Sequence, residues 1–518
     1  MTHLIMDVLG LVLISLVFKF IDFLAHLNFK DTYAAAFKLV QKLPVVAKEL
    51  QKEKASMEAD LERSLKSQQK TMGAVNNILP RQGQRPNDIL KTMTQLARKD
   101  DINWQGGRVS GAVYLGDEKH VEFLNEAFGL YSLSNPLHAE LWPSIMKYES
   151  EIIAMVANMM NGGDASVVGC VTSGGTESII LAIKTHRDYY REKYGITEPE
   201  MIACTSAHAA VNKGCDMLGV KLIHVPFDPA TFQVNLSAVR RAIGPNTIMM
   251  YSSSPSFPHG AIDPIAEMSD IALSNDIGLH VDCCLGGFVL PFAKKMGYDI
   301  PEFDFGLRGV TSMSVDTHKF GYALKGSSVV LYRSNEIRQA QYFCYTDWTG
   351  GMYATPTIAG SKSGGMVAQT WASMMSIGWD GYSKHAADIL DTAKELSEGV
   401  SQIQGLKVIG GRQAMMVCFT GDGLNIYDVN DKMKEKGWHL NSLQSPPAMN
   451  VCLTVKHVGL QKTLLKDLRA AVKEVLEAPA GQLSGSAKLY GTVSALPAGP
   501  TNEIAKTYMD VVYKTTSD

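Results

Sequence analysis

The sequence predicts an α/β fold with a largely parallel sheet, and three observations carry that prediction. Short β-branched, apolar runs alternate with helix-favouring stretches from about residue 135 to residue 371. The residues able to do chemistry cluster at the carboxyl ends of those runs. Beyond about residue 381 the rhythm changes to a long helical stretch with short strands, which marks a second, smaller unit.

The runs lie at residues 167–172, 201–206, 221–226, 247–252, 278–282, 310–315 and 327–332. Helix-length segments between most of them predict crossover connections, hence parallel pairing and strands covered on both faces. Past residue 381, a helix over 384–403, strands near 407–409, 415–419 and 450–455, and a helix over 462–476 read as an α+β domain. The chain therefore divides into an N-terminal segment at 1–27, a stalk and helical segment at 28–134, a large domain at 135–380 and a small domain at 381–518.

At 518 residues, 46% hydrophobic and 19% charged, the chain can bury a large core. A formal net charge of −3 gives no basic field for nucleic acid, so no nucleic-acid partner is expected and a small-molecule substrate is the starting point. The eight cysteines lack the spacing of a zinc site or a secreted disulfide scaffold, which predicts reduced thiols and no metal.

Residues 4–18 are nearly all apolar, and the apolar character continues brokenly to Leu27. No Lys or Arg precedes this stretch, as a cleaved signal would require, so a retained membrane helix is expected. Lys19, Lys30, Lys38, Lys42 and Lys48 follow it and leave the rest of the chain cytosolic. An amphipathic or buried helix is the alternative. Residues 45–70 are charged and helix-favouring, which suits a solvated stalk.

Three elements carry chemistry. Ser173-Gly174-Gly175-Thr176 follows one strand and opens a helix, so its backbone N–H groups can receive an anion. Asp282 ends the run at 278–282, at the sheet edge where α/β proteins bind ligands. Lys319 follows the run at 310–315, preceded by His318 and leading into Phe320-Gly321-Tyr322. Separately these could be a turn, a helix cap and a surface charge. Together they are an anion cup, a carboxylate for a pyridine nitrogen and an amine for an imine, the set that pyridoxal 5'-phosphate needs. His208, at the end of the run at 201–206, could stack on the ring.

Residues 170–178, 206–210, 257–260, 280–282, 285–288 and 316–319 together resemble the sphingosine 1-phosphate lyase family, and the similarity runs from about Gly107 to the C-terminus. The resemblance implies fold type I, a homodimer, and retro-aldol cleavage of phosphorylated sphingoid bases to a long-chain aldehyde and phosphoethanolamine by a carbon-carbon lyase. It implies an endoplasmic reticulum membrane, crossed once, with a cytosolic catalytic domain. It makes Lys319 the imine lysine, Asp282 the pyridinium partner, His208 the stacking residue, and Gly174, Gly175, Thr176 and His318 the phosphate contacts. Tyr114, Asn135, His138 and Lys325 would surround the substrate phosphate and C3 hydroxyl, with Tyr114, Lys325 and Lys319 as proton carriers and Tyr353 donated by the second subunit. Amino-acid decarboxylases share the fold and looser forms of the motifs, and a cofactor-holding protein without turnover is the other alternative. Three positions depart from the family pattern: Cys283 for Ala, expected to pack beside the cofactor; Lys362-Ser363 for Arg-Pro, expected to weaken a phosphate contact; and Leu324 for Pro.

Overall fold

The computed structural model describes residues 78–100, 104–163, 166–477 and 498–513, with residues 48, 52, 59, 63 and 76 besides. The expected membrane segment at 1–27 lies outside the described residues, and among these no helix is long and apolar enough to cross a membrane. Residues 48, 52, 59 and 63 of the expected stalk are helical and exposed. The chain forms two units: one is Met1–Ile102 with Leu483–Asp518, containing the helices Pro86–Ala97 and Ala498–Val512. The other, Asn103–Gln482, carries the sheets.

Seven strands form the central sheet: β1 Val168–Thr172, β2 Glu200–Cys204, β3 Lys221–Val225, β4 Thr247–Ser253, β5 Gly278–Asp282, β6 Ser312–Val315 and β7 Ser328–Tyr332. Their order is β1-β7-β6-β5-β4-β2-β3. The pairings from β6 through β3 are parallel, and β7 runs antiparallel to both β6 and β1. The sheet is therefore mixed. β4 and β7 are buried at every position, as a strand covered on both faces must be. On one face, Ile179 and Ile183 of the helix Gly175–Tyr194 pack with Met201, Ala203, Met249 and Tyr251.

This topology positions the site. Because β7 turns back along β6, the connection at residues 316–327 stays at the carboxyl end of β6 instead of crossing the sheet. Because β1 is antiparallel to β7 in turn, it points the same way as β6. The carboxyl ends of β1, β2, β4, β5 and β6 thus share one edge.

The hairpin β8 Phe343–Tyr345 and β9 Tyr353–Thr355 follows. Next comes the helix Gly364–Ser401, begun by the Ser363 hydroxyl, which accepts from Met366 N at 3.3 Å. It is kinked at Gly378, whose φ of 64° only glycine adopts readily, two residues before the expected domain boundary. A second antiparallel sheet comprises β10 Leu406–Ile409, β11 Met416–Gly421, β12 Asn441–Gln444 and β13 Pro447–Cys452, in the order β10-β11-β13-β12. The segment bearing Tyr114 is tied to it: Val109 bridges His439, and Ser110 Oγ accepts from Asn441 Nδ2 and Cys452 N, each at 2.9 Å.

Candidate active site

The turn after β1 is held by its own residues. Glu177 Oε2 accepts from Ser173 N at 2.7 Å and Ser173 Oγ at 2.6 Å. Ser178 Oγ links Thr172 Oγ1 at 2.7 Å to Ser328 Oγ at 2.9 Å and so anchors the junction to β7. At Gly175, an added Cβ would come within 2.8 Å of both Asp316 Oδ1 and Cys284 Sγ. The absence of a side chain there lets the β6 loop close against the helix N-terminus.

Asp282, at the end of β5, accepts from Cys284 N at 2.9 Å and Ser314 Oγ at 3.2 Å on Oδ1, and from the Tyr251 hydroxyl on Oδ2. Burial alone would raise its pKa. The hydrogen bonds, aided by the charge of Lys319, more than offset burial and hold the carboxyl below the usual carboxylate range.

Lys319 Nζ lies 2.8 Å from Asp316 Oδ2. Burial disfavours the ammonium, but Asp316, aided by Cys284 and Tyr114, outweighs it, and the lysine is held above its ordinary pKa. His318 Nδ1 accepts from Ser327 N at 3.2 Å, which leaves Nε2 to carry the proton and face Asp316 Oδ2 at 3.6 Å. Burial pushes the His318 pKa down and keeps the ring neutral. His208 Nδ1 accepts from Ala210 N at 3.1 Å, so its Nε2 also carries the proton.

Tyr114 is buried edge-on to Phe320, with ring centroids 4.8 Å apart. Burial raises its phenol pKa well above normal. Lys325 Nζ sits 4.6 Å from the centre of the Tyr114 ring and donates to His318 O at 3.3 Å. Burial, then the like charge of Lys319, lowers the Lys325 pKa.

Tyr114, Gly174, Gly175, Thr176, His208, Asp282, His318 and Lys319 all line one cavity of about 550 Å³. A second cavity of about 390 Å³ shares Tyr114, His318 and Lys319 and adds Lys325. The fit to pyridoxal phosphate is chemical: an amine, an anionic carboxylate and a helix N-terminus face one space. Among the described residues no group of His, Cys, Asp and Glu side chains is arranged for a metal ion.

Asn135, His138 and Tyr353 are not brought to either cavity within one chain. Asn135 Oδ1 accepts from Lys362 N and Leu137 N, each at 3.1 Å, and Nδ2 donates to Ser361 Oγ at 3.2 Å. His138 is exposed, with Nδ1 3.8 Å from Glu140 Oε1. Tyr353 is half-buried on β9, against Phe343 and Trp348.

Of the three departures, Cys283 acts differently from expectation. Cys283 does not face the cavity: its thiol turns into the core towards Ser254 O at 3.4 Å, and the thiol lining the cavity is that of Cys284. β5 ends at Asp282, and the turn that follows sends the two cysteines to opposite sides. Lys362 points inward, 2.6 Å from Glu149 Oε1 and 2.9 Å from Val171 O, so it braces β1. Leu324 supplies an N–H that proline lacks, donated to Gln369 Oε1 at 2.8 Å. All eight cysteines are free thiols. The main residue missed from sequence is Asp316, for which the signal was its place three residues before Lys319.

The family model described as "Pyridoxal-dependent decarboxylase conserved domain" matches residues 124–421. The sphingosine-1-phosphate lyase of Dictyostelium discoideum is 44% identical, covering 91% of this chain and 88% of that one. The sphingosine-1-phosphate lyase 1 of Rattus norvegicus is 39% identical, covering 92% of this chain and 84% of the other. The solved sphingosine-1-phosphate lyase of Burkholderia pseudomallei superposes with a TM-score of 0.76 at 42% identity, covering 78% of this chain and 94% of that one. A glutamate decarboxylase of Lactobacillus brevis, at 18% identity and a TM-score of 0.69, shares the fold.

Proposed function

This chain belongs to the sphingosine-1-phosphate lyase family, and on that premise we propose that it uses pyridoxal phosphate to cleave sphingosine 1-phosphate and its dihydro form between C2 and C3, releasing a long-chain aldehyde and phosphoethanolamine. The observation that carries the site assignment is the convergence of Lys319, Asp282 and the Ser173-Thr176 turn on one cavity. When bound, the cofactor supplies a sink for the electron pair of the broken carbon-carbon bond.

The chain's own residues do the rest. Lys319 Nζ would hold the cofactor covalently until the substrate amine takes its place, and Asp316 Oδ2 is placed to receive the freed ammonium. The N–H groups of Gly175 and Thr176, with His318, would hold the cofactor phosphate. Asp282 would keep the ring nitrogen protonated, and His208 would cover one face. Tyr114 and Lys319, which line both cavities, and Lys325, which lines the second, would hold and move the C3 hydroxyl proton.

Asn135, His138 and Tyr353 would serve the substrate phosphate of a partner subunit in a homodimer. The exposure of apolar side chains on the same segments supports this: Leu133 at 90%, Met352 at 80%, Leu141 at 62% and Trp348 at 51%. Residues 1–27 would anchor the chain in the endoplasmic reticulum membrane, with the catalytic unit in the cytosol, where a lipid substrate that partitions into the bilayer is within reach.

Offering the cofactor-loaded protein a phosphorylated long-chain base and, separately, a panel of amino acids tests the reaction. Aldehyde and phosphoethanolamine from the first, without carbon dioxide from the second, is the expected result. Carbon dioxide release with the phosphorylated base untouched would favour a decarboxylase.

A further inference from the structure

Behind Asp282 lies a chain of buried polar groups that the reaction scheme leaves unused. Ser314 Oγ is 3.2 Å from Asp282 Oδ1, His280 Nε2 is 3.1 Å from Ser314 Oγ, and Ser312 Oγ is 2.8 Å from His280 Nδ1. His280, Ser312 and Ser314 are fully buried. Strand register aligns them: in the β5–β6 pairing His280 sits opposite Ser312 and Asp282 opposite Ser314, so all four side chains fall on one face.

The direction of each hydrogen bond follows from the first. An ionised carboxylate only accepts, so the Ser314 hydroxyl donates to Asp282. The Ser314 oxygen then accepts from His280, so the ring proton is on Nε2. Nδ1 is therefore bare and accepts from the Ser312 hydroxyl. Every dipole in the chain points its positive end at Asp282. Burial pushes the His280 pKa down to about 3, so the ring holds this neutral form at any working pH. An ionised carboxylate offers about four acceptor sites. Among the described residues the hydroxyls of Tyr251 and Ser314 and the Cys284 N–H fill three, which leaves one, on the cavity side, for the Cys284 thiol or for a further donor from the cavity.

We propose that His280, acting through Ser314, is a positioning residue that fixes Asp282 as an anion with one free acceptor site, so that the shared proton stays on the cofactor's ring nitrogen. This rests on the assignment of Asp282 to that nitrogen. Without the relay, Asp282 keeps its place but loses one of three donors, and the carboxylate competes more strongly for the proton. The ring is then a weaker electron sink and the cofactor is held less firmly. Polar partners behind a primary contact commonly matter by about 10- to 100-fold.

The test uses full-length apoprotein, as wild type, Ser314→Ala and His280→Gln, and measures affinity for pyridoxal phosphate and for its deaza analogue, which has carbon in place of the ring nitrogen. The wild type should prefer the natural cofactor. Both variants should bind it about 10-fold more weakly while binding the analogue as before. A merely structural role would weaken both ligands alike, and that result, or no change in either, overturns the proposal. Ser314→Ala removes one hydroxyl and decides the question if His280→Gln does not fold. A wild type that shows no preference would instead remove the assignment of Asp282 and the proposal with it.

Discussion

Lys319 Nζ lies 2.8 Å from Asp316 Oδ2, and Asp316 is buried with its other oxygen, Oδ1, lacking a hydrogen-bond partner among the described residues. The pair keeps the lysine charged in a site whose burial would otherwise discharge it. Only the uncharged amine attacks an aldehyde. Asp316→Asn lowers the Lys319 pKa, and the apoprotein should therefore capture pyridoxal phosphate about 10-fold faster near pH 7, since an adjacent opposite charge shifts a pKa by roughly one to three units. Stopped-flow absorbance measures this rate. An unchanged or slower rate would separate Asp316 from the lysine's charge state.

Acid should destabilise the fold above the ordinary carboxylate range. Burial pushes His186, His259 and His457 down to about 4 and His280 to about 3. In the unfolded chain each takes a proton near pH 6.5. Their contribution is complete above that pH and is lost as pH falls towards the folded values. Asp263, raised by burial to about 6, works in the opposite direction over the range between its unfolded and folded values. Among these five groups, four histidines less one aspartate make an uptake of about three protons on unfolding at pH 5. Denaturant melts at pH 7, 6 and 5 should show falling stability, and a flat profile would contradict this account.

Lys362 and Glu149 form a largely buried pair at 2.6 Å. Glu149→Ala leaves the ammonium without its carboxylate and should cost about 3–5 kcal/mol. Replacing both partners, as Glu149→Gln with Lys362→Met, should recover most of that loss. Equilibrium unfolding of the single and double variants measures the coupling. A double variant as unstable as Glu149→Ala would argue against an uncompensated charge as the cause.

If Asn135, His138 and Tyr353 serve a partner's site, two dead variants should complement each other. Lys319→Ala and His138→Ala, each inactive alone, should on co-expression regain about a quarter of wild-type activity, because half the dimers are mixed and one of their two sites is intact. Mixing that restores nothing would place His138 beside the Lys319 of its own chain.

The central strands were legible to within one or two residues, because β-branched runs between helix-length segments have few other solutions. β12 was not, since Asn441-Ser442-Leu443-Gln444 has the composition of a turn and pairs only because β13 lies beside it. The helix Gly364–Ser401 was read only from residue 384, its first half hidden by Gly364, Gly365 and Gly378. In the site, Lys319, Asp282 and the Ser173-Thr176 turn, which share one cavity, could be picked out because their types and strand-end positions are both constrained. Asp316 escaped because a carboxylate three residues before a lysine looks like any surface pair; burial distinguishes it. The Cys283 and Cys284 thiols could not be told apart, since the chain turns there and the turn decides which thiol faces the cavity.

The most direct test of the account is product analysis on the full chain. Loaded wild-type protein given a phosphorylated sphingoid base should release equal amounts of long-chain aldehyde and phosphoethanolamine. Lys319→Ala, folded to the same extent, should release neither. Aldehyde formed by Lys319→Ala at the wild-type rate would contradict the assignment of the cofactor lysine and the chemistry built on it.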